Sequence, residues 1–227
     1  MTGSMNQHVR QLGDEKLVEG GNLPMELNPQ GQSWIENYKL LIGSIVPRPI
    51  AFVSTESREG IRNLAAFSFF NGVCPKPFII SFAPMFKTAN GGPKDTLKNI
   101  EETDEFVVNI VSESIVEQMN RTAPEYDFEV DEFDVAKLTP IASVVVKPPR
   151  VAESKIQMEC KKVNILKFGS GAGAGALVLG EVVRMHVEDS VYREGKIILE
   201  ELAPVARMAG DTYARATDLF ELKRPTL

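Results

Sequence analysis

Pro47-Arg48-Pro49-Ile50-Ala51-Phe52-Val53-Ser54-Thr55 reads as a strand with a rigid entry. Two prolines fix φ on either side of Arg48. Ile50 to Thr55 is a short β-branched run closed by the turn-prone Ser57-Arg58-Glu59-Gly60. Asn63 to Phe70 follows, so the pair reads as a hairpin. Working outward, Pro77 to Phe82 is a third strand, and Glu105 to Val111 a fourth, apolar enough to be buried on both faces. Ile141–Val146, Ile156–Phe168, Ala176–Val187 and Lys196–Leu199 continue the strand pattern. Helical patterns are few and short: Trp34–Leu41, read as a helix or docking segment, Pro93–Glu102 and Ser114–Thr122. Pro93–Glu102 has proline near its start, acid in its first turn and Leu97 three residues before Ile100. Many short strands with a few small helices define a mainly β chain, a barrel rather than an alternating strand–helix fold.

The 227 residues, 43% hydrophobic and 25% charged, suffice for one all-β domain, and no interior stretch has linker composition. Residues 1–32 are glycine-rich and polar and are expected to form a flexible N-terminal arm, with 33–227 a single domain. A net charge of −6 with scattered Lys and Arg argues against a nucleic-acid partner, since phosphate contacts need clustered cations. Cys74 and Cys160 make neither a disulfide framework nor a metal site and read as thiols in a reducing compartment. Neither a signal peptide nor an apolar run of spanning length is visible, so a cytoplasmic protein without a membrane partner is expected.

Gly169-Ser170-Gly171-Ala172-Gly173-Ala174-Gly175 invites a dinucleotide-binding reading. That motif must open a helix after a strand, whereas Leu177 to Val187 alternates as a strand does. A flexible hairpin loop is the better reading. His8 and His186 are the only histidines, no G-x-S-x-G elbow exists, and no spacing of His, Cys and carboxylates suits zinc. The acidic stretch Glu125–Asp134 lacks the glycine of a calcium loop and reads as a solvated loop. No side chain stands out as a catalytic acid or base and no metal is expected, so any reaction falls to a cofactor.

Three stretches taken in order carry a resemblance: Ile45 to Thr55, Asn63-Leu64-Ala65-Ala66-Phe67-Ser68-Phe69-Phe70-Asn71, and Lys94-Asp95-Thr96-Leu97-Lys98-Asn99-Ile100. At these spacings the chain resembles the flavin reductase-like, FMN-binding split-barrel family, its flavoredoxin-like branch. The match spans about residues 38 to 187. Gly180-Glu181-Val182 resembles the family's late strand, and Arg207-Met208-Ala209-Gly210-Asp211-Thr212-Tyr213 its C-terminal segment near the flavin. Ala66 stands where many relatives have Pro, and Ala209 where many have Gly. The resemblance implies a Greek-key-like split β-barrel homodimer that binds FMN at or near the subunit interface. It places Arg48, Pro49, Ile50, Ala51, Asn63, Ala65, Ser68, Phe69, Lys94, Asp95 and Thr96 in the cofactor cradle, with Arg207 and Tyr213 on the substrate side or in C-terminal packing.

Within that frame each residue type has a physical use. Lys94 and Thr96 offer a cation and a hydroxyl to phosphate beside the amides of a helix start, or a surface lysine and an N-cap. Arg48 reaches phosphate or the flavin edge bidentately, or forms an intersubunit salt bridge. Ser68, placed by alternation on one face with Ala66 and Phe70, offers a hydroxyl where small Ala65 and Ala66 leave room for a ring.

The expected function is an FMN-dependent oxidoreductase reduced by NADH or NADPH and passing electrons to a flavin, oxygen, another small-molecule substrate or a redox partner. The alternatives are a flavin-binding carrier or electron-transfer module without turnover and, further off, a pyridoxamine phosphate-type split-barrel oxidase.

Overall fold

The expected hairpin is present: β1 (Ala51–Glu56) pairs antiparallel with β2 (Arg62–Phe67) across the Ser57–Gly60 turn, Ala51 opposite Phe67 and Glu56 opposite Arg62. The computed structural model describes residues 24–226 and divides the chain into Met1–Gln32 and Ser33–Leu227. Most of the expected arm, residues 1–23, lies outside the described residues. Residues 24–32 hold one 3-10 turn, Pro29–Gly31, whose entry Asn28 caps.

In the second unit, α1 (Trp34–Ser44) starts at a capping box: Ser33 Oγ accepts the Glu36 N–H and Glu36 accepts the Ser33 N–H. The chain continues through β3 (Phe70–Pro75), β4 (Phe78–Phe82), α2 (Asp95–Thr103), β5 (Glu105–Ile110), α3 (Val116–Arg121) and α4 (Glu132–Ala136). After the short pair β6 (Pro140–Ile141) and β7 (Arg150–Val151) come the long β8 (Ile156–Phe168) and β9 (Gly175–Val187). The pair β10 (Tyr192–Arg193) and β11 (Lys196–Ile197), then α5 (Leu199–Leu202), β12 (Val205–Arg207) and β13 (Tyr213–Arg215) complete it.

Seven strands form one antiparallel sheet in the order β2-β1-β5-β8-β9-β4-β3. Although β2 ends one edge and β4 lies next to the other, the rings of Phe67 and Phe82 have centroids 5.2 Å apart, and Phe82 meets Phe106 of β5 edge-on at 5.5 Å. The Ala83 N–H bonds the Phe69 carbonyl at 2.8 Å, extending the β3–β4 ladder to the bend that joins β3 to β2. The sheet is therefore rolled on itself, with Val53, Phe106, Val108, Cys160 and Val178 inside and α2 closing the interior with Leu97 and Ile100. Alternation makes β1 apolar on both faces: Ala51 and Val53 point into the barrel, while Phe52 packs outward with Leu64, Met119 and Phe133. This second core holds α3 and α4 against the barrel and shapes the cavity between them.

Three expectations are corrected. The strand expected over Asn63–Phe70 breaks at Ser68-Phe69, and Phe70 starts β3 at the other edge of the sheet. The strand expected over Ile141–Val146 shrinks to Pro140–Ile141, because Val144, Val145 and Val146 turn their N–H groups onto the buried Glu159 carboxylate at 2.8, 2.6 and 3.1 Å. The acidic run is not a solvated loop: Asp131 caps α4 and pairs with Arg62, and Glu132 is buried. The glycine run is the β8–β9 hairpin loop, with Gly169, Gly171 and Gly173 all at positive φ, and Gly173 lies so close to Trp34 that a side chain there would overlap the indole.

Candidate functional site

A cavity of about 360 Å³ opens where β2, the start of α2, α3 with the segment after it, and the C-terminal strands converge. Its barrel wall is Asn63, Ala65, Ala66, Phe67 and Ser68, with Ile50 beside them. Both faces of the strand contribute because β2 ends here and the chain bends at Ser68-Phe69. A row of small side chains leaves a slot against this wall, the shape a flat ligand needs.

At one end lies the start of α2. Lys94 is its N-cap residue, and no side chain caps the helix. The first N–H groups of the nine-residue helix therefore keep their capacity to bind an anion. Thr96 does not cap it: its hydroxyl donates to Asn63 Oδ1 at 2.7 Å, so that proton is committed, and only the backbone N–H of this residue points to an anion role. Two cations flank the helix start. Lys87 Nζ lies 3.1 and 2.9 Å from the two Asp95 carboxylate oxygens, and Lys94 Nζ is 3.4 Å from Glu125 Oε1. Glu125 also accepts the Thr88 N–H, so both carboxylates hold their lysines at the rim.

Beneath this end runs a buried polar chain. Glu132 accepts from Asn63 Nδ2 at 2.8 Å and from the Leu64 N–H at 3.0 Å. Burial raises the Glu132 pKa above its ordinary value, and the Leu64 and Asn63 hydrogen bonds offset this only in part. Asn63 Oδ1 then receives the hydroxyls of Thr96 and, at 3.3 Å, Thr55.

The opposite end is built by the C-terminal strands. The Arg207 guanidinium lies 4.5 Å over the Tyr213 ring and donates to the Gly210 carbonyl, while Tyr213 Oη donates to Asn120 Oδ1 at 3.2 Å. Tyr38 of α1 and Asp211 complete this side.

Of the residues expected in the cradle, Ile50, Asn63, Ala65, Ser68, Lys94, Asp95 and Thr96 line the cavity together, as do Arg207 and Tyr213. Arg48, Pro49, Ala51 and Phe69 do not. Arg48 lies behind the cavity wall: it is 4% exposed, and its guanidinium donates to the carbonyls of Ile42, Ile45 and Met208 at 2.7, 2.7 and 2.8 Å and to Ser68 Oγ at 3.2 Å. A fork so fully engaged positions the wall and has little left for a ligand. Phe69 packs against that guanidinium, and Ala51 belongs to the barrel interior. Ser68 accepts from Arg48 and keeps its own proton to donate. Lys87, Asn120, Glu125 and Glu132 were missed. Lys87 precedes the third motif, and the two glutamates are hidden among six carboxylates with no periodicity to single them out.

A mainly β chain whose sheet rolls into a barrel, with its cavity at the end of the edge strand β2, has the fold of the split β-barrels. The chain belongs to the flavin reductase like domain family, which residues 42–203 match. The crystal structure of nitrilotriacetate monooxygenase component B from Bacillus cereus is 42% identical to it, covers 89% of this chain and 100% of that one, and has a TM-score of 0.84. Pseudomonas fluorescens 2-nitrobenzoate 2-nitroreductase NbaA is 31% identical over 89% of this chain and 97% of its own, with a TM-score of 0.79. A protein of Halalkalibacterium halodurans is 42% identical over 205 residues, 89% of this chain and 98% of that one. The protein is thus a flavin-related oxidoreductase.

Proposed function

We propose that the cavity binds FMN and that the protein is an FMN-dependent NAD(P)H oxidoreductase, passing electrons to a free flavin, oxygen or a redox partner. The observation that carries this reading is the pairing, in one cavity, of an uncapped helix start between Lys87 and Lys94 with a slot walled by Ala65 and Ala66. The volume lies in the range of about 300–1,000 Å³ usual for small-molecule sites. The helix amides and Lys94 would hold the phosphate, the Ser68 hydroxyl would donate to the ring or ribityl chain, and Tyr38 with the Arg207–Tyr213 stack would cover the outer side. Bound FMN would supply the hydride-accepting and electron-passing chemistry. Among the described residues no histidine or cysteine lines the cavity, and the side chains there would serve to bind, orient and exclude water. A relative named as one component of a monooxygenase supports an electron acceptor outside this chain.

The test is the absorption spectrum of the purified protein with the identity of any released flavin, followed by NADH and NADPH consumption under air with and without added FMN. Consumption of either nucleotide supports the reductase. Bound flavin without consumption of either would favour the carrier reading instead.

The assembly we propose is a homodimer. α1 carries Trp34, Ile35, Leu40 and Leu41 yet buries none of its residues, which leaves an apolar face for a second copy. Light scattering at twice the chain mass is the expected result, and a monomer at micromolar concentration would remove this part. Cys74 and Cys160 are free, in keeping with a cytoplasmic setting, and no helix among the described residues is long and apolar enough to cross a membrane.

A further inference from the structure

Glu132 is 6% exposed at the base of the cavity, and each of its carboxylate oxygens takes one N–H: Oε1 from Asn63 Nδ2 at 2.8 Å, Oε2 from the Leu64 backbone at 3.0 Å. Each oxygen faces an N–H and acts as an acceptor, as an ionised carboxylate does at both. Asn63 must therefore turn its NH₂ toward Glu132 and its Oδ1 away, where that oxygen receives the Thr96 hydroxyl at 2.7 Å. One carboxylate on α4 thereby dictates an amide orientation on β2, and that amide fixes a side chain in the first turn of α2. The three elements form three sides of the cavity.

We propose that Glu132 is a positioning residue which, through Asn63 and Thr96, holds the start of α2 in place against the β2 wall and so sets the contribution of the phosphate end to ligand affinity. This rests on the FMN reading of the cavity. The Leu64 N–H is fixed by the strand, so in Glu132→Gln the amide must spend its one oxygen there and aim its NH₂ at Asn63. Asn63 then flips and offers Thr96 a donor where an acceptor stood. The Thr96 hydroxyl must then accept instead of donate, so its proton and that of Thr55 lose Asn63 Oδ1 and the helix start is held less firmly, while the slot along Ala65 and Ala66 is untouched.

The experiment is titration of the flavin-free protein with FMN and with riboflavin, which lacks the phosphate, followed by flavin fluorescence. Wild type is expected to prefer FMN. In Glu132→Gln, FMN affinity should fall about tenfold, within the range for residues sharing a hydrogen-bond network, while riboflavin affinity stays within about twofold. Thr96→Val, which cuts the last link, should show the same selective loss. The double variant Glu132→Gln with Asn63→Asp should recover FMN affinity, because a carboxylate on β2 accepts from the amide introduced on α4 and from the Thr96 hydroxyl alike. A parallel fall for both flavins, an unchanged Glu132→Gln, or no recovery in the double variant would overturn the proposal. If wild type binds neither flavin, the FMN reading fails and this inference with it. A wild type that prefers FMN beside a Glu132→Gln variant that still does would sink the inference alone.

Discussion

The Arg48 guanidinium donates a 2.8 Å hydrogen bond to the carbonyl of Met208, 160 residues later in the chain. The backbones of Arg48 and Arg207 also exchange hydrogen bonds, at 3.0 and 2.8 Å, so the entry to β1 and the far wall of the cavity are one unit. Arg48 also holds the end of α1 through the Ile42 and Ile45 carbonyls. Lysine, with a single ammonium, cannot reach acceptors in these directions. Arg48→Lys should cost about 1–3 kcal/mol of stability, from buried carbonyls left without donors, as read in urea unfolding. Flavin affinity should fall with it, because the Met208 carbonyl next to Arg207 and the Ser68 hydroxyl in the wall both lose their guanidinium donor. A variant as stable as wild type would show that the remaining backbone contacts hold this corner by themselves.

Lys94→Ala removes a cation that, among the described residues, pairs with Glu125 alone and lies outside the hydrophobic core. FMN affinity should drop about tenfold, the scale of one charge-assisted contact, while the thermal midpoint stays close to wild type. Unchanged flavin retention would exclude Lys94 from the phosphate end.

Gly180 of β9 faces the ring of the fully buried Phe106, and an added Cβ would overlap it. Since Phe106 also packs edge-on against Phe82, the ring has nowhere to retreat. Gly180→Ala should destabilise by about 1–3 kcal/mol, the usual cost of overpacking. Thermal and urea melts check this, and a neutral effect would mean that the barrel interior can widen at this strand.

Glu159 accepts from Val144, Val145 and Val146 N–H groups and from His186 Nε2 at 2.6 Å. Burial by itself would raise its pKa, but these hydrogen bonds together outweigh burial and leave it below the ordinary value. A depressed folded pKa contributes stability that is present above the unfolded value of about 4.3 and lost as pH falls through the folded one. Glu159→Gln should therefore be less stable than wild type at pH 7, by about 1–3 kcal/mol from donors left facing an amide. The gap should narrow once the pH drops below about 4. Melts at the two pH values decide it, and a gap independent of pH would mean that the charge is not what holds the Val144–Val146 turn. Glu132 has the opposite sign: its pKa is raised, so its contribution is fullest at low pH and is lost as pH rises through the folded value.

Much of this was legible in the residue pattern. The alternation of β1 and β2, the glycine hairpin between β8 and β9, and proline and acid at the start of α2 are local signals, and each names its own element. The ordered triple of motifs led to the family and to a cavity wall containing Asn63, Ala65, Ser68, Lys94 and Thr96. Hydrogen-bond partners were not legible, since they join residues far apart. Arg48 between two prolines looks equally suited to a ligand or to a backbone carbonyl, and its use was decided by α1 and Met208 arriving beside it. Glu132 looks like its five acidic neighbours until Phe133 and Ala136 enter the outer core and carry it under Asn63.

The sequence by itself determined the mainly β class, because periodicity and turn chemistry act over a few residues, and the resemblance carried by its three ordered motifs pointed to the family and to the segments that line the cavity. Only the tertiary structure decided that Ser68-Phe69 ends a strand, that the Arg48 guanidinium meets the carbonyls of Ile42, Ile45 and Met208, and that the buried Glu132 carboxylate orients the Asn63 amide beside the helix start. Those outcomes depend on which donors and acceptors meet once water is excluded, and rolling the sheet so that Phe67 touches Phe82 is what brings them together.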